Sequence, residues 1–354
     1  MKKTVSIFLV AVLLITSVFA ANIDAKDHLN QLTNYFKTNQ KELHIAEQLL
    51  SFAQEGYLFD KELIIHPDFP DTDEYTDPAK KIGFCYKLCV KSIVLGKDPK
   101  SLISNVDPVK LIVDSQDPLT GLFDNNPRQQ WMYIVVLEAL NASYDREKAI
   151  EYMVGSQAAD GGWCPFVGDG YSFLDPDTSA GYAIVLSRFK DFDGVPAALT
   201  KYFDTFVKGT VMLDDGSIGE YGESSSSTFT TICALIDNGK DVFGTEYKGI
   251  ANNIPLFKRA DGSYYMSYTE DPNADYDWFS TKDAILALTA VKNGKSAFAE
   301  LLDNGVFAAQ AAARQKILDD KALQDKLAKE QAEKDRLEKE AALKKAQNPP
   351  TGEK

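Results

Sequence analysis

Acidic and aromatic side chains recur in the segments that precede several predicted helices. The candidates for ligand contact are Trp163, Tyr171, Asp175, Asp177, Tyr221, Tyr268, Asp277 and Trp278. Aromatic faces stack on a sugar ring or on another flat or cationic group, and carboxylates orient such a ligand. The alternative is structural, because acids also cap helices and aromatic rings pack loops. The pattern therefore predicts a binding pocket, with capping and packing as the competing interpretation.

Paired carboxylates in the same segments could also support catalysis. Asp175 or Asp177 facing Asp277 would suit glycoside cleavage or a lyase reaction, in which two acids flank the reacting bond. Their separation along the chain does not give their separation in space, so this pair is a hypothesis. A Ser-His-Asp triad would have to use a histidine near the N-terminus, and no local pattern points to one.

Residues that bind metals or form disulfides are sparse. The three histidines lie at positions 28, 44 and 66, and the four cysteines at 85, 89, 164 and 233 lack the spacing of a zinc site. Cys85 and Cys89 lie four residues apart in a helical stretch, which favours buried thiols over a disulfide. The oxygen-rich segment 271–277 could hold calcium but lacks the full EF-hand pattern. We therefore predict no metal and no cofactor, with calcium as the weaker alternative.

Residues 1–21 have the layout of a secretory signal peptide. Two lysines precede an apolar run from Val5 to Ile15, and Ala20 ends a small-residue cleavage site. No later segment reaches the 18 or so consecutive apolar residues that a transmembrane helix needs. The net charge of −14 over 354 residues disfavours nucleic acid and anionic membranes as partners. We expect a secreted or extracellular protein with no membrane-spanning segment after signal removal.

Internal repeats organise the chain between residues 77 and 295. Similar helix ends recur at positions 96, 144, 190, 239 and 294, a period of one helical hairpin plus a loop. Each turn before a helix contains a glycine, which permits positive φ, followed two places later by an apolar residue that can pack on the neighbouring hairpin. The candidate helices are 28–37, 41–54, 77–95, 101–115, 128–142, 146–157, 178–189, 195–208, 225–237, 245–257, 279–293 and 296–312. These helices predict an all-α fold of six hairpins.

One repeat resembles the QW motif of squalene and oxidosqualene cyclases. The matching residues are Lys148, Ala149, Tyr152, Met153, Gln157, Gly161 and Trp163, with Met153 at the usual leucine. The resemblance to this squalene-cyclase/prenyltransferase repeat type implies an (α/α)6 toroid of alternating inner and outer helices. It also implies that Gln157, Gly161 and Trp163 form a structural staple. The glutamine would bond the backbone of the adjacent inner helix, while the tryptophan covers the seam.

The catalytic residues of that family are not matched. Cyclases protonate an alkene with the middle Asp of Asp-x-Asp-Asp-Thr-Ala, and Thr178 takes that place when the motif is aligned on Asp175 and Ala180. Protein prenyltransferases of this architecture hold zinc through Asp, Cys and His, and the main repeats contain no histidine. The expectation is a noncatalytic binding or adhesion module for a glycan or cell-wall component. The alternatives are an extracellular carbohydrate-active hydrolase or lyase and a carrier of a small molecule such as cobalamin.

The predicted domains are a signal peptide at 1–21, an α/α toroid domain at 22–312, a charged helical spacer at 313–345 and a flexible Pro/Gly tail at 346–354. The spacer is rich in Ala, Leu, Glu and Lys and predicts an extended, exposed helix. The tail contains Asn348-Pro349-Pro350-Thr351-Gly352, which resembles a sortase sorting motif of Gram-positive surface proteins. Attachment to the cell wall is expected if a sorting signal continues beyond Lys354.

Overall fold

The computed structural model of the protein describes residues 22–57, 59, 61–168, 173–220, 222–267, 278–303 and 306–347. The predicted signal peptide, the tail from residue 348 and the calcium candidate 271–277 lie outside these ranges. The described chain is mostly helical, which confirms the all-α prediction, and its one sheet pairs two-residue strands in parallel, β1 (Glu42–Leu43) and β2 (Ile64–Ile65).

The helices lie close to their predicted positions. The α-helices of the described chain are α1 (Ala25–Asn39), α2 (Ala46–Gln54), α3 (Asp73–Thr76), α4 (Lys81–Leu95), α5 (Pro108–Asp114), α6 (Pro127–Ala139), α7 (Arg146–Gly155), α8 (Pro176–Leu186), α9 (Val195–Lys201), α10 (Ser225–Asp237), α11 (Trp278–Asn293), α12 (Ala297–Leu302) and α13 (Val306–Gln347). Tyr202–Val211 continues α9 as a π-helix, and Ile250–Phe257 forms a 3₁₀ helix. Short 3₁₀ turns cover Pro99–Ser101 and Thr245–Tyr247.

Local sequence explains where many of these helices begin. The side chains of Asp107, Asp145 and Asp175 each accept a backbone N–H from the first turn that follows, so they are N-caps. Proline occupies the first position of α5, α6 and α8, where its missing N–H costs no helical hydrogen bond. Proline geometry at α6 and α8, together with the Asp175 cap of α8, therefore fixes two helix starts that, as described below, bring side chains to one cavity.

Six helices, α2, α4, α6, α8, α10 and α11, are called the cavity helices because their first turns line one cavity. Each cavity helix contacts the next one along the chain, and α11, the last of the six, contacts α2, the first. The six helices therefore form a closed circuit of contacts. Helix α8 shows how deeply these helices pack: every residue from Thr178 to Leu186 is buried. A helix buried on all sides must be apolar or small around its whole circumference, as this sequence is.

The last predicted hairpin, 279–293 with 296–312, differs from the structure. The N-terminal helix α1 packs against α11 instead, and α12 contacts α2, α6, α8 and α11. The backbone N–H of Ser296, before α12, donates to Asp237 at the end of α10 at 2.8 Å, and Gln54 at the end of α2 donates to Lys295 O. Helix α12 therefore lies at the C-terminal ends of the cavity helices. All six of its residues are buried, as expected of a helix with no solvent-facing side.

Four turns share one construction around a glycine with positive φ. Gly121, Gly161, Gly216 and Gly262 have φ values of 80°, 88°, 88° and 94°. Two residues later, a backbone N–H donates to a side-chain oxygen of the next cavity helix; the pairs are Phe123 with Gln130, Trp163 with Ser179, Ile218 with Thr228 and Tyr264 with Thr281. The four glycine turns predicted from sequence therefore have the same structure, and a backbone-to-side-chain hydrogen bond joins each of them to the following cavity helix.

The Gln157 staple connects different elements from those expected. Its amide donates at 2.8 Å to Gly161 O and at 2.8 Å to Ala198 O, which belongs to α9. The partner of Gln157 is therefore α9, which is not one of the cavity helices. Gln116 makes the equivalent pair of bonds one repeat earlier, to Gly121 O and Asp145 O, although the sequence pattern did not single it out.

The C-terminal helix α13 begins at Val306, earlier than the predicted spacer. The 312/313 domain boundary therefore falls inside a continuous helix. From residue 316 its described side chains are mostly exposed, and Arg336 pairs with Glu333 and Glu340 along the surface. Such i,i+3 and i,i+4 ion pairs are typical of a solvated helix.

Candidate functional site

The N-terminal ends of the cavity helices surround a cavity of about 350 Å³. Each of the six helices contributes side chains from its first or second turn; the polar ones are Glu47, Tyr86, Lys87, Arg128, Gln129, Asp175, Asp177, Thr178, Ser226, Thr230, Lys282 and Asp283. Apolar lining comes from Trp131, Leu286 and Phe298, among others. A concave site with a few convergent polar groups on an apolar wall is the usual form of a small-molecule site.

Two carboxylates in the cavity are joined by one hydroxyl group. Ser226 Oγ lies 2.5 Å from Asp283 Oδ2 and 3.4 Å from Asp177 Oδ2. Asp283 is fully buried and also accepts from Lys282 Nζ at 2.5 Å. Thr230 Oγ1 lies 3.2 Å from Asp177 Oδ1 but can equally donate to backbone carbonyls of its own helix. Asp283 is therefore neutralised by a lysine, whereas Asp177 has only neutral hydroxyl partners among the described residues.

The surroundings change the acidity of these groups in a consistent direction. Burial, together with the neighbouring charges of Asp175 and Asp283, raises the pKa of Asp177 to about 6. Burial also raises the pKa of Asp283, while Lys282 opposes that change. Burial alone would lower the pKa of Lys282, but the carboxylates of Asp283 and Glu47 raise it. Lys282 therefore stays charged at neutral pH, and the pKa of Asp177 lies nearer to neutrality than that of an ordinary aspartic acid.

Aromatic rings form the apolar part of the site. Trp131 is 7% exposed and meets Phe298 edge to face, with ring centroids 4.9 Å apart. Trp278 and Phe279 stack on each other at 3.6 Å and remain 41% and 42% exposed. The cavity thus has the buried rings of Trp131, Phe298 and Tyr86 in its wall and a stacked pair that solvent can reach.

Gly181 in α8 allows the ring of Trp131 to take its place in the wall. A Cβ at Gly181 would lie 2.5 Å from Trp131 Cδ2 and Nε1, closer than carbon atoms approach without displacement. We expect Gly181→Ala to lower the free energy of unfolding by about 1–3 kcal/mol, because overpacking forces the ring or the helix to move. Urea denaturation measures the change.

The matched control for Gly181→Ala is Gly155→Ala, a helical glycine in α7 with no atom within 4 Å of its added Cβ. That substitution should stabilise by about 0.5–1 kcal/mol, since alanine favours helix. In a protein that already carries Trp131→Leu, Gly181→Ala should lower the free energy of unfolding by less, because the indole ring that the added Cβ would overlap is gone. An unchanged cost in that background would contradict the proposed contact.

The predicted ligand residues separate into three groups. Asp175, Asp177 and Trp278 line the cavity. Trp163 does not; it is 1% exposed, and its indole N–H donates to Met153 O at 2.6 Å, as a structural staple would. The remaining candidates, Tyr171, Tyr221, Tyr268 and Asp277, lie outside the described residues, so the suggested pairing with Asp277 does as well.

Asp175 also has a structural task. Its carboxylate accepts the backbone N–H of Thr178 at 2.9 Å and the Thr178 hydroxyl, so it caps α8. The capping alternative therefore holds for Asp175, while Asp177, two residues further on, is free of that task. Thr178, which the motif alignment placed at the acid position of cyclases, is occupied as a donor to Asp175.

Sequence reasoning missed Glu47, Ser226, Lys282 and Asp283. The Lys282-Asp283 pair precedes a largely apolar run, Ala284 to Ala290, and Asp283 and every residue of that run are buried. Two adjacent charges at the start of such a run cannot both face solvent, and this was the available signal. Glu47 carried no comparable signal, because an acid in the first turn of a helix is commonly solvated.

The described ranges contain neither a cluster of metal ligands nor a membrane-spanning helix. No group of three or more His, Cys, Asp or Glu side chains there could hold a metal ion. The four cysteines are unpaired, and Cys85, Cys89 and Cys233 are buried. Within the same ranges, no helix has the length and apolar character needed to cross a bilayer.

Protein-family models, curated proteins and solved structures were each compared with this chain, and none of the three comparisons gives a significant match.

Proposed function

We propose that the protein is a secreted or cell-surface binding module of the (α/α)6 toroid type, with a cavity that holds one ring of a glycan or similar polyhydroxylated ligand. The fold is supported by the circuit of contacts among the cavity helices, the four recurring glycine turns and the QW-like segment ending at Trp163. Export is supported by the signal-like layout of residues 1–21.

The observation that carries the ligand proposal is the pairing of aromatic faces with Asp177 in one cavity. A sugar ring presents C–H groups on its faces and hydroxyl donors around its edge. Trp131 and Trp278 supply apolar surface, and Asp177 supplies an acceptor with no cationic partner among the described residues. Hydrogen bonds to a charged acceptor are stronger than those between neutral groups, so Asp177 would orient the ring.

The same geometry supports binding without turnover. Asp283 is held in an ion pair by Lys282, and Asp175 caps α8. Protonation of an alkene requires an unusually strong acid, whereas the raised pKa of Asp177, about 6, makes it a weaker acid than an ordinary aspartic acid. Cyclase chemistry is therefore unsuited to this cavity.

Substitution of Asp177 tests the proposal. We expect Asp177→Asn to weaken binding of a cognate sugar at pH 7.5 by about 10-fold or more, because a charge-assisted hydrogen bond contributes roughly 1.5–3 kcal/mol. Binding to the unchanged protein should also weaken as the pH falls through about 6, where Asp177 gains a proton and ceases to be a charged acceptor. Calorimetric titration, with the fluorescence of the two cavity tryptophans as a second signal, measures both.

The control is Asp214→Asn, which alters an exposed carboxylate outside the cavity. It should leave affinity unchanged at both pH values. If no mono- or oligosaccharide of a broad panel binds, or if Asp177→Asn binds as the unchanged protein does, the ligand proposal is wrong.

A second candidate, glycoside cleavage, is favoured by one observation. An acid with a pKa near 6 is suited to donate a proton to a leaving oxygen at neutral pH. Release of reducing ends from a glycan, lost in Asp177→Asn while binding persists, would establish this candidate in place of the noncatalytic one.

A further inference from the structure

We propose that the ligand of this cavity carries a carboxylate, held by Arg128 and Gln129 at the start of α6 and by Tyr86 of α4. In chemical terms the ligand is a sugar acid, such as a hexuronic acid residue. This inference rests on the proposed function and specifies which class of ring the cavity takes.

Arg128 is the cavity cation that remains available to a ligand. Lys87 is already paired with Glu74 at 2.8 Å, and Lys282 is paired with Asp283. Arg128 is exposed at the cavity and has no ion-pair partner in the described part of the chain. A guanidinium group matches the two oxygens of a carboxylate with parallel N–H bonds, which favours a planar anion.

The helix that carries Arg128 supports the same charge. Arg128 is the second residue of α6, after Pro127, and the side chain of Asn126 makes no capping hydrogen bond to this helix. The positive end of the helix dipole is therefore not satisfied by its cap. An anion placed there gains from that dipole in addition to the guanidinium charge.

Gln129 presents an amide nitrogen that has no acceptor among the described residues. Its Oε1 accepts from Tyr133 OH at 2.5 Å and from Asn126 Nδ2 at 3.3 Å, which fixes the orientation of the amide. With the oxygen held by two donors, the Nε2 hydrogens remain for a ligand acceptor. Gln129 lines the cavity beside Arg128.

Tyr86 supplies an independent sign of a missing partner. Its side chain is only 5% exposed and lines the cavity, yet its hydroxyl makes no hydrogen bond to any residue that the structure describes. A buried hydroxyl without a partner costs about 1–3 kcal/mol, so a ligand acceptor would recover that free energy. Burial raises the pKa of Tyr86 far above its ordinary value, so the hydroxyl keeps its proton and acts as a donor.

The wall formed by α4 and α6 thus offers donors, whereas Asp177 on α8 offers acceptors. His44, which also lines the cavity, adds no positive charge at neutral pH because burial and the nearby His66 lower its pKa. A ligand that satisfies both walls needs an acidic group on one side and hydroxyl groups on the other. A sugar acid has this arrangement, and a neutral hexose would leave Arg128 without an anion.

The test compares matched pairs of ligands on the mature full-length chain by calorimetry. The probes are glucuronate against glucose, galacturonate against galactose, and glucose 6-phosphate to separate carboxylate from phosphate recognition. At least one uronate should bind roughly 10-fold or more tightly than its neutral hexose. Arg128→Gln should reduce that preference to within about twofold. Tyr86→Phe should weaken uronate more than hexose.

Arg336→Gln, on the exposed helix α13, is the matched control and should keep the preference. Equal affinity for uronate and hexose, or a preference that survives Arg128→Gln, overturns the carboxylate proposal while leaving sugar binding in place. Tighter binding of glucose 6-phosphate than of either uronate overturns it in favour of a phosphate. Failure of every sugar to bind rejects the proposed function itself.

Discussion

Gly161→Ala is expected to lower the free energy of unfolding by about 3 kcal/mol. Gly161 has a φ of 88°, and an added Cβ would lie 2.6 Å from the carbonyl oxygen of Lys201. The left-handed backbone costs an L-residue about 1–2 kcal/mol, and the overlap with a backbone atom of a packed helix adds about 1–3 kcal/mol. Chemical denaturation followed by far-ultraviolet circular dichroism measures the loss.

Gly239→Ala separates the two contributions to that loss. Gly239 has a similar φ of 71°, but no atom of the described residues lies within 4 Å of an added Cβ. Gly239→Ala should lower the free energy of unfolding only by the cost of the left-handed backbone, about 1–2 kcal/mol. Equal losses for the two variants would show that the contact between the Gly161 turn and Lys201 does not contribute to stability.

Asp237→Asn should make the protein more stable at pH 8, by up to about 3 kcal/mol. Burial raises the pKa of Asp237 to about 6, against an ordinary value near 4, although the N–H and hydroxyl of Ser296 partly oppose the change. The folded state therefore binds this proton more tightly than the unfolded state does. Stability from this group is greatest below pH 4, falls as the pH rises to 6, and stays low above it. Asparagine removes the buried charge that causes the loss.

The pH series is the decisive measurement for Asp237. The unfolding free energies of the unchanged protein and of Asp237→Asn should differ widely at pH 8 and little at pH 4.5. Asp177 and Asp283 titrate in both proteins, so their contributions cancel in the difference. Asp237→Ala should destabilise, because Ser296 loses its acceptor. An asparagine variant that is less stable at pH 8 would show that the ionised carboxylate is needed.

Local signals in the sequence predicted most of the helices but not all of their forms. The prediction of 225–237 matches Ser225–Asp237, where Ser224 caps a regular apolar pattern. The segment predicted as a helix at 245–257 contains the 3₁₀ helix Ile250–Phe257 instead, because Pro255 inside it cannot support regular α-helical hydrogen bonding. Capping and proline chemistry act over a few residues, so they can be inferred from the chain.

Contacts between distant segments were much harder to infer. The pairing of α1 with α11 and the position of α12 depend on surfaces that lie far apart in sequence. Asp177 and Trp278 of the cavity were predicted from the local sequence around them. Ser226 and Asp283 belong to the cavity because they lie near Asp177 in space, although they are 49 and 106 residues away from it along the chain. The number of residues between two positions does not give their distance in the folded protein.

Phe298, which lines the cavity from the C-terminal side, has a consequence for long ligands. Helix α12 places this ring against Trp131, opposite the end where the helices begin. A polymer could not thread past it and emerge on the far side. Recognition of a glycan chain would then be end-on: a terminal residue or a side branch would enter the cavity, and affinity would depend on the number of chain ends rather than on chain length.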